Sequence, residues 1–162
     1  IQDPEHPHEV REALWGNLIA GGSGAEWIVA YDTWPRQPGK HLDIACENWR
    51  PWENMWNLTA IALDFFHQHL PFDQMKSHDE LIDKDSGWCL AKPGDVYCVY
   101  LFGDQYTQLD LPAGSFTVFW FNPWTGGELQ TGATLTGPGR QSIGNPPSEA
   151  SRDWVALVRR KP

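Results

Sequence analysis

The chain has 162 residues, with 12 Lys plus Arg against 21 Asp plus Glu, for a formal net charge of −9. That balance argues against nucleic acid and anionic membrane as partners, because both are bound through basic patches. The length allows one domain or two small ones with a real core, and no apolar run approaches the ~20 residues needed to span a bilayer. Ten tryptophans stand in the chain. Large aromatics are usually core residues. Several here adjoin Asp, Glu or Asn, a pairing that also suits stacking platforms for sugar rings. The chain opens on Ile1, without Met and without a secretory pattern, which reads as a processed or internal start.

In chain order, the first predicted element is a helix from about Glu5 to Leu18. Pro7 suits its first turn, and Val10, Leu14 and Leu18, with Ala13 and Gly16, keep helical spacing. Gly21, Gly22 and Gly24 end it. Ala25 to Tyr31 is short, apolar and rich in strand formers, as a buried parallel strand would be. A polar loop from Asp32 to Arg50 follows. Pro51 then opens the clearest helix, in which Trp52, Met55, Trp56, Thr59, Leu63 and Phe66 fall at three- and four-residue spacing, ending near His69. Residues 72–87 are polar and read as a linker with little regular structure.

From Trp88 the apolar period becomes two, and DVYCVYLF, SFTVFWF, ATLTG and WVALVR are strand-like. Turn residues separate them at Asn122–Gly127, Gly137–Gly139 and Asn145–Pro147. Short strands at this spacing predict an antiparallel β-sandwich over 88–162. A hairpin turning at Pro93-Gly94 would pair Leu90 with Tyr97 and Cys89 with Cys98. Opposed Cα atoms lie about 4.5–5.5 Å apart, within disulfide range. Such a bridge would point to an oxidising compartment; the alternative is two small buried hydrophobes.

The first half raises a physical difficulty. One buried strand between two helices has no sheet partner, and parallel strands need neighbours and cover on both faces. Either another chain or segment supplies the remaining strands, or Ala25 to Tyr31 is no strand.

REALWGNLIAGGSGAEWIVAYD followed by CENWRPWENMWNLTAIALDFF resembles the end of the catalytic barrel in bacterial apiosidase-like and related glycoside hydrolases. LPFDQM, WCLAKPGDVYCVYL, GSFTVFWFNPWTGG and DWVALVR resemble the β-sandwich that ends those proteins, often labelled a putative collagen-binding domain. The resemblance runs from about His8 to Arg159. It implies a fold that is α/β plus all-β: residues 1–71 as the last helix-strand-helix unit of a (β/α)₈ barrel, a linker at 72–87, and a small antiparallel β-sandwich at 88–162. It further implies a secreted or periplasmic enzyme cleaving glycosidic bonds in a plant or algal polysaccharide. The earlier barrel strands, where related enzymes carry catalytic carboxylates, are missing from this chain, so the resemblance implies a partner chain or segment that holds them. The competing reading is a non-catalytic β-sandwich that binds carbohydrate or protein.

Glycoside hydrolysis uses two carboxyl groups flanking the scissile bond. Glu26 is the first choice for one of them. It follows the glycine-rich turn, adjoins Trp27 and would sit on a strand facing a barrel interior; against this, it falls early on that strand, whereas barrel enzymes keep their chemistry at the C-terminal strand ends. A substrate contact, or a structural ion pair with an arginine such as Arg50, is the alternative. Trp27, Tyr31, Asp32, Trp34, His41, Asp43, Glu47 and Trp49 are candidate substrate-binding residues, offering apolar ring platforms and hydroxyl-binding groups. For each loop residue the plain alternative is a solvated side chain or a helix cap. No metal or cofactor is expected. His6 with His8 and His67 with His69 are two apart, which points them to different sides of a helix. Asp79 to Asp85 lacks the glycine of a calcium loop. Gly21 to Gly24 precedes its strand, where phosphate-binding loops follow one. Cys46 has no His-Asp framework around it.

Overall fold

The computed structural model describes residues 9–27 and 53–162. A π-helical segment, Glu9–Gly16, continues as a single α-helical turn, Asn17–Ile19; together they form α1. In π winding the residue five positions on shares a face. Trp15 therefore joins Val10, Leu14, Leu18 and Ile19 in the core, while Ala13, expected on that face, is exposed. Gly21, at φ +95°, turns the chain out of the helix in a conformation glycine adopts without cost.

The next helix, α2, spans Glu53–His69. Its buried residues are Met55, Leu58, Ala62, Phe65 and Phe66. Trp56, Thr59 and Leu63, on the flank of that stripe, are half-buried, so the helix presents a neighbouring face to the one its spacing predicts.

Six strands follow: β1 (Lys76–Ser77), β2 (Gly87–Lys92), β3 (Val96–Leu101), β4 (Gln108–Phe121), β5 (Gln130–Ser142) and β6 (Trp154–Arg160). They form one antiparallel sheet in the order β1-β2-β3-β6-β4-β5. The predicted all-antiparallel arrangement is present, as a single six-stranded sheet rather than two separate ones. Its second face is enclosed by bending. β4 loses register with β5 between Leu111 and Gly114 and again between Thr117 and Phe119, and bulges of this kind kink a strand. β4 pairs with β5 on both sides of the first bulge, whereas only Phe116–Phe121 pairs with β6 as well. Leu109 then reaches Ile82 in an isolated bridge.

Two apolar cores result, one on each face. Trp15, Leu18, Leu58, Phe65 and Phe66 of the helices pack on Leu90, Cys98, Tyr100, Phe121, Val155 and Leu157. On the other face Cys89, Tyr97, Val99, Leu109, Phe116, Trp120 and Trp154 pack together within the bend. The helical half and the strands thus share a core. The segment expected as a linker is tied into the sheet: Met75 and Ile82 are buried, β1 pairs with β2, and His78 N–H donates to the Cys89 carbonyl at 2.7 Å.

The β2–β3 hairpin forms with a register one residue away from the expected one. Lys92 pairs with Val96, leaving Pro93, Gly94 and Asp95 as a three-residue loop, and Cys89 pairs with Val99 and Leu90 with Cys98. Gly94 takes φ +86°, the positive φ that a type II turn needs at its third residue, with Pro93 before it and the Asp95 N–H donating to the Lys92 carbonyl at 3.0 Å. A one-residue slip sends each side chain to the opposite face. Cys89 and Cys98 therefore lie in different cores as free, buried thiols, and the disulfide does not form.

Ala25–Trp27, the start of the expected parallel strand, lies in irregular backbone. Residues 28–31, the loop 32–50 and the start of the second helix at Pro51 and Trp52 lie outside the described residues. Among the described residues no parallel barrel strand is present.

Candidate functional site

The chemistry-bearing groups collect along the seam between α1 and the sheet. Trp15 is fully buried there, its ring centroid 5.6 Å from Phe65, 5.9 Å from Phe66 and 5.5 Å from Tyr100. One turn earlier, Arg11 reaches across the seam to Asp153, the residue before β6. Arg11 Nε donates to Asp153 Oδ2 at 2.7 Å and Nη2 to Oδ1 at 2.6 Å. From the sheet side, the Tyr100 hydroxyl donates to Oδ2 at 2.9 Å and the Gly103 N–H to Oδ1 at 2.8 Å.

Asp153 is only 2% exposed. A buried carboxylate is tolerated when its lone pairs are filled and a cation is close, and four donors meet both conditions here. The hydrogen bond to Asp153 raises the Arg11 pKa, against the lowering effect of burial. Burial raises the Tyr100 pKa, and the adjacent Asp153 raises it further. The Arg11 guanidinium also lies over the Phe102 ring, 5.0 Å from its centroid. The sequence pattern did not bring Asp153 forward. Its one signal is a lone acid set directly before the apolar run WVALV.

At the other end of α1, Gly22 N–H donates to the Asn17 carbonyl at 2.9 Å, and the Asn17 side-chain amide donates to the Gly24 carbonyl. These bonds fold the glycine run back on the helix end. Glu26 follows, exposed, with no hydrogen-bond partner for its carboxylate among the described residues. Trp27 is half-buried against the helical core. Its indole N–H donates to Thr59 Oγ1 at 2.8 Å, and that hydroxyl donates in turn to the Met55 carbonyl at 2.8 Å. Trp27 therefore anchors the segment to α2. Tyr31, Asp32, Trp34, His41, Asp43, Glu47, Trp49 and Arg50 lie outside the described residues.

Trp88 separates two adjoining clefts on the same seam. One, of about 470 Å³, is lined by residues that include Asp79, Lys84, Asp85, Trp88 and Phe102. The other, of about 230 Å³, is bounded by Glu12, Gly16, Ala20, Ser77, Asp79 and Trp88. The Trp88 ring stacks on Tyr100 at 5.8 Å and meets Phe102 edge-on at 4.7 Å, which fixes its plane. Neighbouring acids already have structural partners. Asp79 Oδ1 accepts the Cys89 N–H at 2.7 Å, and Asp83 accepts from Gln108 N–H at 2.8 Å and Arg140 at 2.7 Å. Among the described residues no three His, Cys, Asp or Glu side chains come together to hold a metal ion.

No family model matches the chain, and no curated protein matches it. Solved structures do. The chain is similar to a glycoside hydrolase family 5 protein from Bacteroides vulgatus, with 16% identity and a TM-score of 0.69, over 98% of this chain and 38% of that one. It is also similar to a protein described as a glycoside hydrolase, with 14% identity and a TM-score of 0.58, over 78% of this chain and 30% of that one. At these identities the likeness is one of fold. The chain spans between 30% and 38% of the length of these two proteins.

Proposed function

We propose that this chain is part of a secreted or periplasmic glycoside hydrolase of the apiosidase-like or a related group, cleaving glycosidic bonds in a plant or algal polysaccharide. In this reading residues 1–71 close a (β/α)₈ barrel whose other strands come from a partner chain or segment, and 88–162 form its accessory β-domain. The observation that carries the reading is the likeness of 98% of this chain to part of a glycoside hydrolase family 5 protein. Glu26 fits the role of a working carboxylate: it is exposed, spends no hydrogen bond on the described structure, and is carried on a segment anchored at both ends. It would serve as one of the two carboxyl groups, as general acid or as nucleophile. The residues from Tyr31 to Trp49 would bind the sugar.

The test is hydrolysis by the chain assembled with the polypeptide that completes the barrel, read as reducing-end release from a panel of plant and algal polysaccharides. Glu26→Gln should lower kcat by about 10²–10⁴-fold. An active assembly in which Glu26→Gln changes only KM would demote Glu26 to a substrate contact. No hydrolysis of any polysaccharide would remove the enzyme reading.

The clefts beside Trp88 favour a second reading, a non-catalytic binding module, because a fixed aromatic plane next to carboxylates suits a sugar ring. That reading requires the chain by itself to bind an oligosaccharide, and Trp88→Ala to abolish the binding.

A further inference from the structure

We propose that Arg11 and Asp153 form a positioning latch through which the β-sheet fixes the segment carrying Glu26. The inference rests on the reading of Glu26 given above.

Apolar packing and the latch do different jobs. The ring contacts of Trp15 hold α1 against the sheet, but dispersion and hydrophobic contacts carry little directional information. A fork of two parallel N–H···O bonds does carry it. Arg11 makes such a fork to Asp153, at 2.7 and 2.6 Å. The acceptor is itself immobile, because the Tyr100 hydroxyl on β3 and the Gly103 N–H each hold one of its oxygens. Rotation and sliding of α1 relative to the sheet are thereby restricted.

That restriction reaches Glu26 along a short path. α1 ends at Ile19, and the Gly22 N–H and the Gly24 carbonyl are both bonded back to Asn17 on the helix. Trp27 is held to Thr59 of α2. Glu26 sits between these two anchors. A glycine-rich connection would otherwise wander, since Gly21 and its neighbours restrict the backbone little. With α1 locked at Arg11 and Trp27 locked at Thr59, the intervening backbone has fixed ends. Arg11 and Asp153 are thus positioning residues, which act on the carboxylate through the helix.

Arg11→Lys separates geometry from charge, because a lysine keeps the cation and loses the fork. The readout is amide hydrogen exchange at Ala20, Gly21 and Gly22 in the full chain, whose N–H groups are bonded to the Gly16, Leu18 and Asn17 carbonyls at the helix end, under conditions where the native state dominates. Local opening governs such amides, so Arg11→Lys should speed their exchange by ~10-fold or more. Val158→Ala, a cavity in the opposite core, is the control for general loss of stability. It should lower the urea midpoint and leave exchange at Ala20, Gly21 and Gly22 unchanged. Unchanged exchange in Arg11→Lys, or an equal rise in Val158→Ala, would overturn the latch.

This result stands whether or not the assembly hydrolyses a polysaccharide, so failure of the enzyme reading and failure of the latch are separate outcomes. In an active assembly, Arg11→Lys should lower kcat with KM little changed. An unchanged kcat would overturn the positioning of Glu26 even with the latch intact.

Discussion

Replacing Trp15 with alanine tests whether α1 is an integral part of this fold. Trp15 is 0% exposed and packs within 5.5 to 6.3 Å, centroid to centroid, of Phe65, Phe66, Tyr100 and Phe121. A buried aromatic removes roughly 200 Å² from water, and at ~25 cal/mol per Å² that is about 5 kcal/mol. Large-to-small core substitutions of this type cost about 3–5 kcal/mol, the spread reflecting how far the cavity collapses. Domains have only about 5–15 kcal/mol in total, so Trp15→Ala should consume a large share. For a chain of this length each kcal/mol moves Tm by about 2–4 °C, giving a fall of roughly 6–20 °C. Trp15→Phe is the informative companion. It keeps a ring among the same neighbours and removes an indole N–H that has no hydrogen-bond partner among the described residues. Its cost should be about 1–2 kcal/mol. The assay is urea and thermal unfolding followed by far-UV ellipticity, which a change in the number of indoles disturbs little. A single transition is expected, since helices and sheet share a core. A loss below ~1 kcal/mol in Trp15→Ala, or a separate early helical transition, would refute the shared core.

Three further outcomes follow from local geometry. A Cβ on Gly87 would overlap the Tyr100 carbonyl oxygen of the paired strand and sit 3.2 Å from Leu101 Cα. Since backbone cannot retreat as a side chain does, Gly87→Ala should cost more than about 3 kcal/mol in urea unfolding; a near-neutral variant would refute the Gly87–Leu101 pairing. Burial pushes the thiol pKa values of Cys89 and Cys98 up, so neither should react with a thiolate-selective reagent at mildly alkaline pH until the protein is unfolded; native labelling of either would contradict their placement. Burial, reinforced by Arg159 and opposed by Glu128, lowers the pKa of His69 below its ordinary value of 6.5. The unfolded chain then takes up this proton first. The His69 contribution is therefore fully present above pH ~6.5 and is lost as pH falls toward the lower folded value. His69→Gln should flatten that part of the stability profile, and an unchanged slope would refute the assignment.

The sequence made the elements visible and left their phase hidden. The two helices, the hairpin and the later strands all stand near where periodicity and turn residues put them. The hairpin register turned on one residue in the loop. Pro93-Gly94 suggested a two-residue turn, whereas the structure uses Pro93, Gly94 and Asp95, with glycine in the left-handed position. That single shift decides whether two cysteines face each other or face opposite cores. The buried stripe of α2 lies beside the expected one, and Thr59 on its flank receives the Trp27 indole N–H. The candidate site was less legible still. The Arg11–Asp153 pair joins residues 142 positions apart, and no local pattern encodes such a contact. Glu26 and Trp27 were legible as chemistry, while the other candidate residues, from Tyr31 to Trp49, lie outside the described residues.

One signal in the strands bears on the larger question of whether the helical half belongs with the β half. A strand with one solvated face alternates apolar and polar residues, whereas a strand covered on both faces reads as a continuous apolar run. VYCVYL of β3 and WVALV of β6 do not alternate, and every residue in both runs is buried. β5, at the edge, buries only Leu135 and is largely polar. Two adjacent strands buried on both faces need two covers. The bend of β4 over its own sheet supplies one, through Leu109, Leu111 and Phe116. α1 and α2 supply most of the other, through Trp15, Leu18, Leu58, Phe65 and Phe66. The apolar runs near the end of the chain are thus matched to helices near its beginning. A β-domain released from those helices would expose Tyr100, Cys98, Val155 and Leu157 to water. This is a physical reason for the sheet to act as a fixed brace on the segment that carries Glu26, and it weighs against a freely tethered module.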